Sequence, residues 1–154
     1  MMTQSHPIAI LLPLAVGAIA VLCTIIIHAV ALGATVNFVR YERRRGREGV
    51  AFRVDLAISV LVISLAFLAH LIEIALWAEL FVLCGEFQHL STAYYHSAVN
   101  YTTLGYGDLV MTPAWKLLGP LEAADGALMF GVSTAMIFAV IQQLLLARFA
   151  DLRK

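Results

Sequence analysis

The sequence predicts an all-α membrane protein: three transmembrane helices, with a short helix and a glycine-rich loop between the second and third. Three observations predict it. The 154 residues are 62% apolar and only 13% charged, against roughly 25% charged in soluble domains. Residues 7–39 and 56–72 carry no Asp, Glu, Lys or Arg, and residues 117–147 carry only Glu122 and Asp125. A helix crosses the hydrocarbon core in about 20 apolar residues, so spans fit at about 8–39, 54–83 and 115–149. Finally, Gly105-Tyr106-Gly107 follows a short helical stretch in the one long gap between spans.

The first span, within a segment 1–40, lacks the basic start of a signal peptide and is too long for one. It is expected to be an additional anchor with its N-terminus outside. Arg40, Arg43, Arg44, Arg45, Arg47 and Arg53 cluster around the linker 41–53, and Arg148, Arg153 and Lys154 follow the third span. Lys116 alone falls elsewhere. The positive-inside rule puts the linker and C-terminus in the cytoplasm, with a plasma (inner) membrane location. An arginine run between two apolar spans is explained by topology, so no nucleic acid is expected as a partner, and no soluble substrate. The linker's contact is expected to be with anionic lipid.

The second span, 54–83, ends at Cys84-Gly85-Glu86. Cys23 and Cys84 lie at different membrane depths, too far apart to bridge, so free thiols are expected by default, with a pairing of Cys84 to Cys84 of another subunit as the alternative. Ser91-Thr92 is expected to start a short helix over 91–102. Asp108-Leu109-Val110 reads as extended. Thr112-Pro113 is expected to open the third span, 114–149, with Pro near its N-terminus. Pro120 is expected to bend its top. Trp77 and Trp115 read as interface anchors.

Thr102-Thr103-Leu104-Gly105-Tyr106-Gly107-Asp108 carries the chemistry. A potassium-selective filter is a narrow backbone tube whose carbonyl oxygens replace the hydration shell of the ion. Glycines tolerate φ > 0, so Gly105 and Gly107 allow successive carbonyls to point one way. Thr103 adds a hydroxyl to the row. Irregular backbone at membrane depth is tolerated only where protein buries it or it lines a watery cavity.

Residues 54–149 resemble the pore domain of tetrameric potassium channels of the two-helix pore-loop type. Thr103 to Asp108 is similar to the family's Thr-Val-Gly-Tyr-Gly-Asp filter, and Asp125-Gly126-Ala127-Leu128-Met129-Phe130-Gly131 resembles its inner helix. The whole chain resembles small bacterial three-helix proteins with a Tyr-Thr-Thr-Leu-Gly-Tyr-Gly-Asp signature. The resemblance implies a homotetramer with a pore domain at 54–154. K⁺ would bind at Thr103, Leu104, Gly105 and Tyr106, within a filter 103–107. Thr102 and Asp108 would flank the filter. Tyr95 and His96 would brace Tyr106 by hydrogen bonds, and Gly126 and Gly131 would be inner-helix hinges. Two positions depart from the family. Leu104 replaces the usual Val, and Val99 stands where many relatives place a Glu that bridges to Asp108, which leaves Asp108 without that partner.

Ala127, Phe130, Thr134, Phe138 and Ile141 share one face of the third span and are expected to line the cavity. Phe138 and Ile141 could close it by dewetting, or simply pack. Gly126 and Gly131 could equally serve close helix packing. His70, Glu73, Glu122 and Asp125 are intramembrane ionisable groups. Glu73 and Glu122 come out ~10 Å below the outer interface, and His70 and Asp125 ~15 Å, at 1.5 Å per residue. At least one acid of the third span is expected to contact the second span or the short helix, most simply Asp125 with His70. The pair could sense pH or only satisfy buried polar groups. His28, with Thr24 and Thr35 on its face, reads as an interhelical hydrogen-bonding residue.

No nucleophile–base pair, phosphate loop or metal-ligand spacing is present, so no enzyme and no cofactor beyond K⁺ is expected. No helix carries arginines at every third position, which excludes a voltage sensor, and no ligand-binding domain is expected after the third span. The function expected is passive K⁺ conduction. A weakly selective cation channel and a non-conducting membrane scaffold with a relic pore remain the alternatives.

Overall fold

A computed structural model describes residues 7–46 and 52–151; Arg47, Arg153 and Lys154 lie outside the described residues. The elements are α1 (Pro7–Arg44), α2 (Phe52–Leu83), α3 (Leu90–Tyr101) and α4 (Leu118–Asp151), with no strand among the described residues. α1, α2 and α4 are each long and apolar enough to cross a membrane. Only 22%, 33% and 22% of their most apolar windows are buried within the chain. Most of that apolar surface therefore faces outward, as expected of helices solvated by lipid or by other copies.

Helix ends follow local chemistry. α1 runs four residues past its expected end, to Arg44, and stops where Gly46 takes φ 63° and its N–H bonds the Arg43 carbonyl at 2.9 Å. α2 closes with a Schellman cap. Gly85 sits at φ 75°, its N–H reaches the Val82 carbonyl at 2.9 Å, and the Glu86 N–H reaches Phe81 at 3.0 Å. α3 starts at Leu90 rather than Ser91. Its cap residue is His89, whose extended backbone (φ −119°, ψ 129°) offers a carbonyl to the N–H groups of Thr92 and Ala93, with no side-chain cap.

α4 begins at Leu118, four residues later than expected. Residues 113–117 form turns, and the Thr112 carbonyl accepts from the N–H groups of Trp115 and Lys116. Glu86 fixes this turn by accepting from the Thr112 N–H at 2.7 Å and the Thr112 hydroxyl at 2.5 Å. Pro120 falls in the first turn of α4, where a missing N–H costs no helical bond.

The chain divides into two compact units, residues 1–27 with 71–129 and residues 28–70 with 130–154. The core of the first is Ala20, Ile74, Trp77, Ala78, Phe81, Ala93, Tyr101, Leu118 and Met129. In this unit α1 and α4 approach closely: a Cβ on Gly17 would lie 2.6 Å from Leu121 Cδ1. The core of the second is Val39, Ile58, Val62, Val140 and Leu144. Arg148 pairs with Asp55 at 3.7 Å and lies over the Phe52 ring.

Candidate functional site

The site is the backbone that leaves the C-terminal end of α3. The Thr103 N–H bonds the Asn100 carbonyl at 2.8 Å, and the Val99 carbonyl accepts from both Leu104 (2.9 Å) and Gly105 (3.2 Å). Three consecutive N–H groups therefore turn back onto α3. In a trans peptide the carbonyl of the preceding residue points opposite to the N–H, and the described residues hold no cis bond. The carbonyls of Thr102, Thr103 and Leu104 thus point together, away from α3.

An ordinary strand alternates its carbonyls. Alignment here comes from alternating handedness: φ is +59° at Thr103, +58° at Gly105 and +72° at Gly107, and is not positive at Leu104 or Tyr106. Thr103 is β-branched, so its positive φ is an outlier costing on the order of 1–3 kcal/mol. The segment Thr102–Asp108 is exposed throughout, with Leu104 55% and Tyr106 67% accessible.

α3 also holds the far end of the segment. The Tyr95 hydroxyl donates to Asp108 Oδ2 at 2.8 Å, and that bond to an anion raises the phenol pKa. His96 bonds the Leu109 backbone, while Asn100 Nδ2 lies 2.9 Å from its Nε2. An amide donating to Nε2 requires a neutral ring. Burial accords with this by lowering the His96 pKa, against smaller opposing contributions from Asp108 and the Leu109 bond. The ring sits between Phe81 and Phe87, at 5.5 and 4.9 Å between centroids. Within the chain, Tyr95 and His96 thus bond Asp108 and Leu109 rather than Tyr106. Asp108, expected to lack its usual partner because Val99 replaces a Glu, receives one from Tyr95.

Beneath α3 lies a buried polar layer. Asp125 Oδ2 accepts from Trp77 Nε1 at 3.0 Å and lies 2.8 Å from the Thr24 hydroxyl. Trp77 is fully buried, so it is not an interface anchor; its indole N–H has a carboxyl to serve instead. Tyr101 donates to Glu73. Ser97 Oγ lies 2.8 Å from the Ile74 carbonyl and 2.5 Å from Glu122 Oε1. A hydroxyl has one proton, so Ser97 cannot serve two acceptors. A protonated Glu122 would satisfy both contacts, donating to Ser97 while Ser97 donates to Ile74. The acids of α4 therefore bond α1, α2 and α3, and Asp125 finds Trp77 on α2. His70, proposed from sequence as that partner, lies 3.0 Å from the Ser133 hydroxyl, which is also 3.0 Å from His28.

The α4 residues expected to line a cavity, Ala127, Phe130, Thr134, Phe138 and Ile141, are all exposed in the single chain. On the same helix Met129, Ser133, Val140 and Leu144 are buried. Phe130 also packs on the His70 ring, at 4.4 Å between centroids. The two glycines differ. A Cβ on Gly126 would fall 2.1 Å from the Tyr101 carbonyl oxygen, whereas one on Gly131 would meet nothing within 4 Å. Gly126 is therefore a close-packing residue. Cys23 and Cys84 are free thiols, and burial, then the charge of Glu86, raises the Cys84 pKa.

Sequence reasoning missed Ser97, Ser133 and the Glu86–Thr112 clasp as site-supporting residues, and set Thr24 beside His28 without its contact to Asp125. Helical spacing was the available signal: Thr24 lies four residues before His28, and Ser97 lies one turn before Tyr101. A family model described as an ion channel matches residues 57–143, more than half the chain, from within α2 through α3 and its following loop into α4. No curated protein and no solved structure matches the chain.

Proposed function

The chain belongs to the ion channel family, and from that premise we propose that it is one subunit of a four-fold, potassium-selective pore. It is a multi-pass membrane protein with three helices able to cross the bilayer. One subunit supplies one carbonyl row, and a tube around an ion needs several rows about an axis, which closed four-fold symmetry provides. Thr103, Leu104, Gly105 and Tyr106 coordinate dehydrated K⁺ with main-chain oxygens, and Thr103 adds its hydroxyl. Asp108 draws cations to the mouth. α3 acts as a re-entrant helix whose C-terminal end directs negative dipole charge toward the ion path. The N-terminus and residues 84–117 face outward, and the arginine linker faces the cytoplasm. Transport is passive and no bond is made or broken.

The observation that carries this reading is the turning of the Thr103, Leu104 and Gly105 N–H groups onto α3. It leaves carbonyls of an exposed, apolar-flanked segment aimed at no donor among the described residues, which a cation would satisfy. The same α3 contacts hold that row before an ion arrives. Flux of K⁺ against Na⁺ from proteoliposomes tests it.

A weakly selective cation pore is the second reading. It is favoured by the γ-branched Leu104 beside a strained Thr103, a pairing that packs less rigidly than Val. Reversal potentials in opposed K⁺ and Na⁺ gradients separate the two readings.

A further inference from the structure

We propose that the cleft between the C-terminal part of α1 and the facing stretch of α4 binds the phosphate headgroup of an anionic phospholipid. The cleft has a volume of about 190 Å³. Val36, Val39, Met136, Ala139 and Val140 make its aliphatic wall, and Arg40, Arg43 and Gln143 supply its polar groups. It lies wholly within the second unit, on the core formed by Val39, Val140 and Leu144.

The two arginines distinguish this cleft from a simple apolar groove. Arg45 is stacked over Tyr41 at 4.3 Å, and Arg148 is paired with Asp55. The guanidinium groups of Arg40 and Arg43 make no ion pair or hydrogen bond with any described residue. They sit one helical turn apart, so both guanidinium groups lie on the same face of α1. Guanidinium groups bind phosphate through paired N–H donors in a fork that matches its oxygens. Gln143 adds an amide donor from α4.

The occupant follows from the combination. A free phosphate would satisfy the arginines and leave the aliphatic wall uncovered. A phospholipid satisfies both, with its phosphate at the arginines and its glycerol and upper acyl carbons along Val36, Val39 and Met136. Thirty-eight residues at 1.5 Å per residue make α1 roughly 57 Å long, well beyond the ~30 Å hydrocarbon core. Arg40 ends the uncharged run 7–39, so the Arg40–Arg43 turn is where α1 leaves the apolar layer for the headgroups. Cytoplasmic leaflets carry the anionic lipid, so the assignment rests on the topology proposed above. A lipid seated here would clamp α4, on the stretch that carries Phe138 and Ile141 on its other face, against α1.

Native mass spectrometry of the detergent-solubilised full chain, titrated with phosphatidylglycerol or phosphatidylcholine, tests the site. Wild type should retain phosphatidylglycerol at concentrations at least tenfold below those needed for phosphatidylcholine. Arg40→Gln/Arg43→Gln should abolish that preference. Arg44→Gln/Arg45→Gln, the same change in charge outside the cleft, should keep it. Equal retention by all three proteins, or equal loss in both double variants, overturns the proposal. Displacement of the lipid by millimolar inorganic phosphate would overturn the lipid assignment in favour of a soluble anion. A dimer or higher assembly that dissociates in Arg40→Gln/Arg43→Gln, without lipid retention in wild type, would assign the cleft to a second copy and also overturn it. Neither ion conduction nor leaflet enters this measurement. Failure therefore bears on the cleft alone, whereas labelling of the linker from the outer side would overturn the topology alone.

Discussion

The carbonyl oxygen of Tyr101 lies 2.1 Å from the point where a side chain on residue 126 would begin, so the last residue of α3 rests directly on the backbone of α4. The end of α3 that launches the Gly-Tyr-Gly segment is thereby seated on the helix expected to line the pore. No flexible side chain can yield at this contact, because the obstacle is main chain.

Gly126→Ala should therefore displace the end of α3. The expected loss is at least the ~1–3 kcal/mol of overpacking, seen as a lowered unfolding midpoint in detergent. Gly131→Ala meets nothing within 4 Å and should be neutral or stabilising by about 0.5–1 kcal/mol, the usual gain of Ala over Gly in a helix. Equal effects at the two positions would show that the Tyr101 contact does not hold in the membrane protein.

Trp77→Phe keeps a large ring but removes the N–H that serves Asp125. It should cost about 1–2 kcal/mol, the range for a polar contact within a membrane. Trp115→Phe, in the turn before α4, should cost less. A Trp acting only as an interface anchor would tolerate Phe at position 77, and an unchanged unfolding midpoint would contradict the buried assignment.

The proton count at Ser97 predicts that Glu122→Gln is tolerated, since an amide donates to Ser97 as a protonated acid does. Glu122→Ala and Ser97→Ala should each cost roughly 1–3 kcal/mol by stranding a buried polar partner. If Gln is as damaging as Ala at position 122, the carboxyl is ionised and the count is wrong.

Acidification should weaken the fold through His96. Its pKa in the folded chain is held below the ordinary 6.5 by burial, so the unfolded chain binds the extra proton. Stability is then steady above that value and falls as pH drops through and below it. The unfolding midpoint measured from pH 8 to pH 5 should decline in wild type, and less steeply in His96→Gln. Parallel profiles would exclude His96 as a contributor.

Periodicity and charge made the three spans legible, because apolar length is what a bilayer demands of a helix. The Gly-Tyr-Gly segment was legible because positive φ at Gly105 and Gly107 needs glycine. The start of α4 was misread. Pro113 suits a helical N-terminus, but Glu86, twenty-six residues before Thr112, clasps that residue into a turn instead. Trp77 was misread for the same reason. An amphipathic ring near a helix end fits an interface belt, and only the fold brings Asp125 to its N–H. The partner of Asp108 was hidden likewise, since Tyr95 stood on α3 with another role expected. Sequence spacing announces groups on one helix face, whereas contacts between elements wait on the packing.

The most direct test of the pore reading is K⁺ and Na⁺ flux from proteoliposomes, with Gly105→Ala as control. Alanine at φ +58° costs roughly 1–2 kcal/mol and would turn the aligned carbonyls out of register. Wild type should pass K⁺ at least tenfold faster than Na⁺, and Gly105→Ala should lose that preference or all flux. Flux from Gly105→Ala equal to wild type for both ions would contradict the assignment of this segment as the ion path.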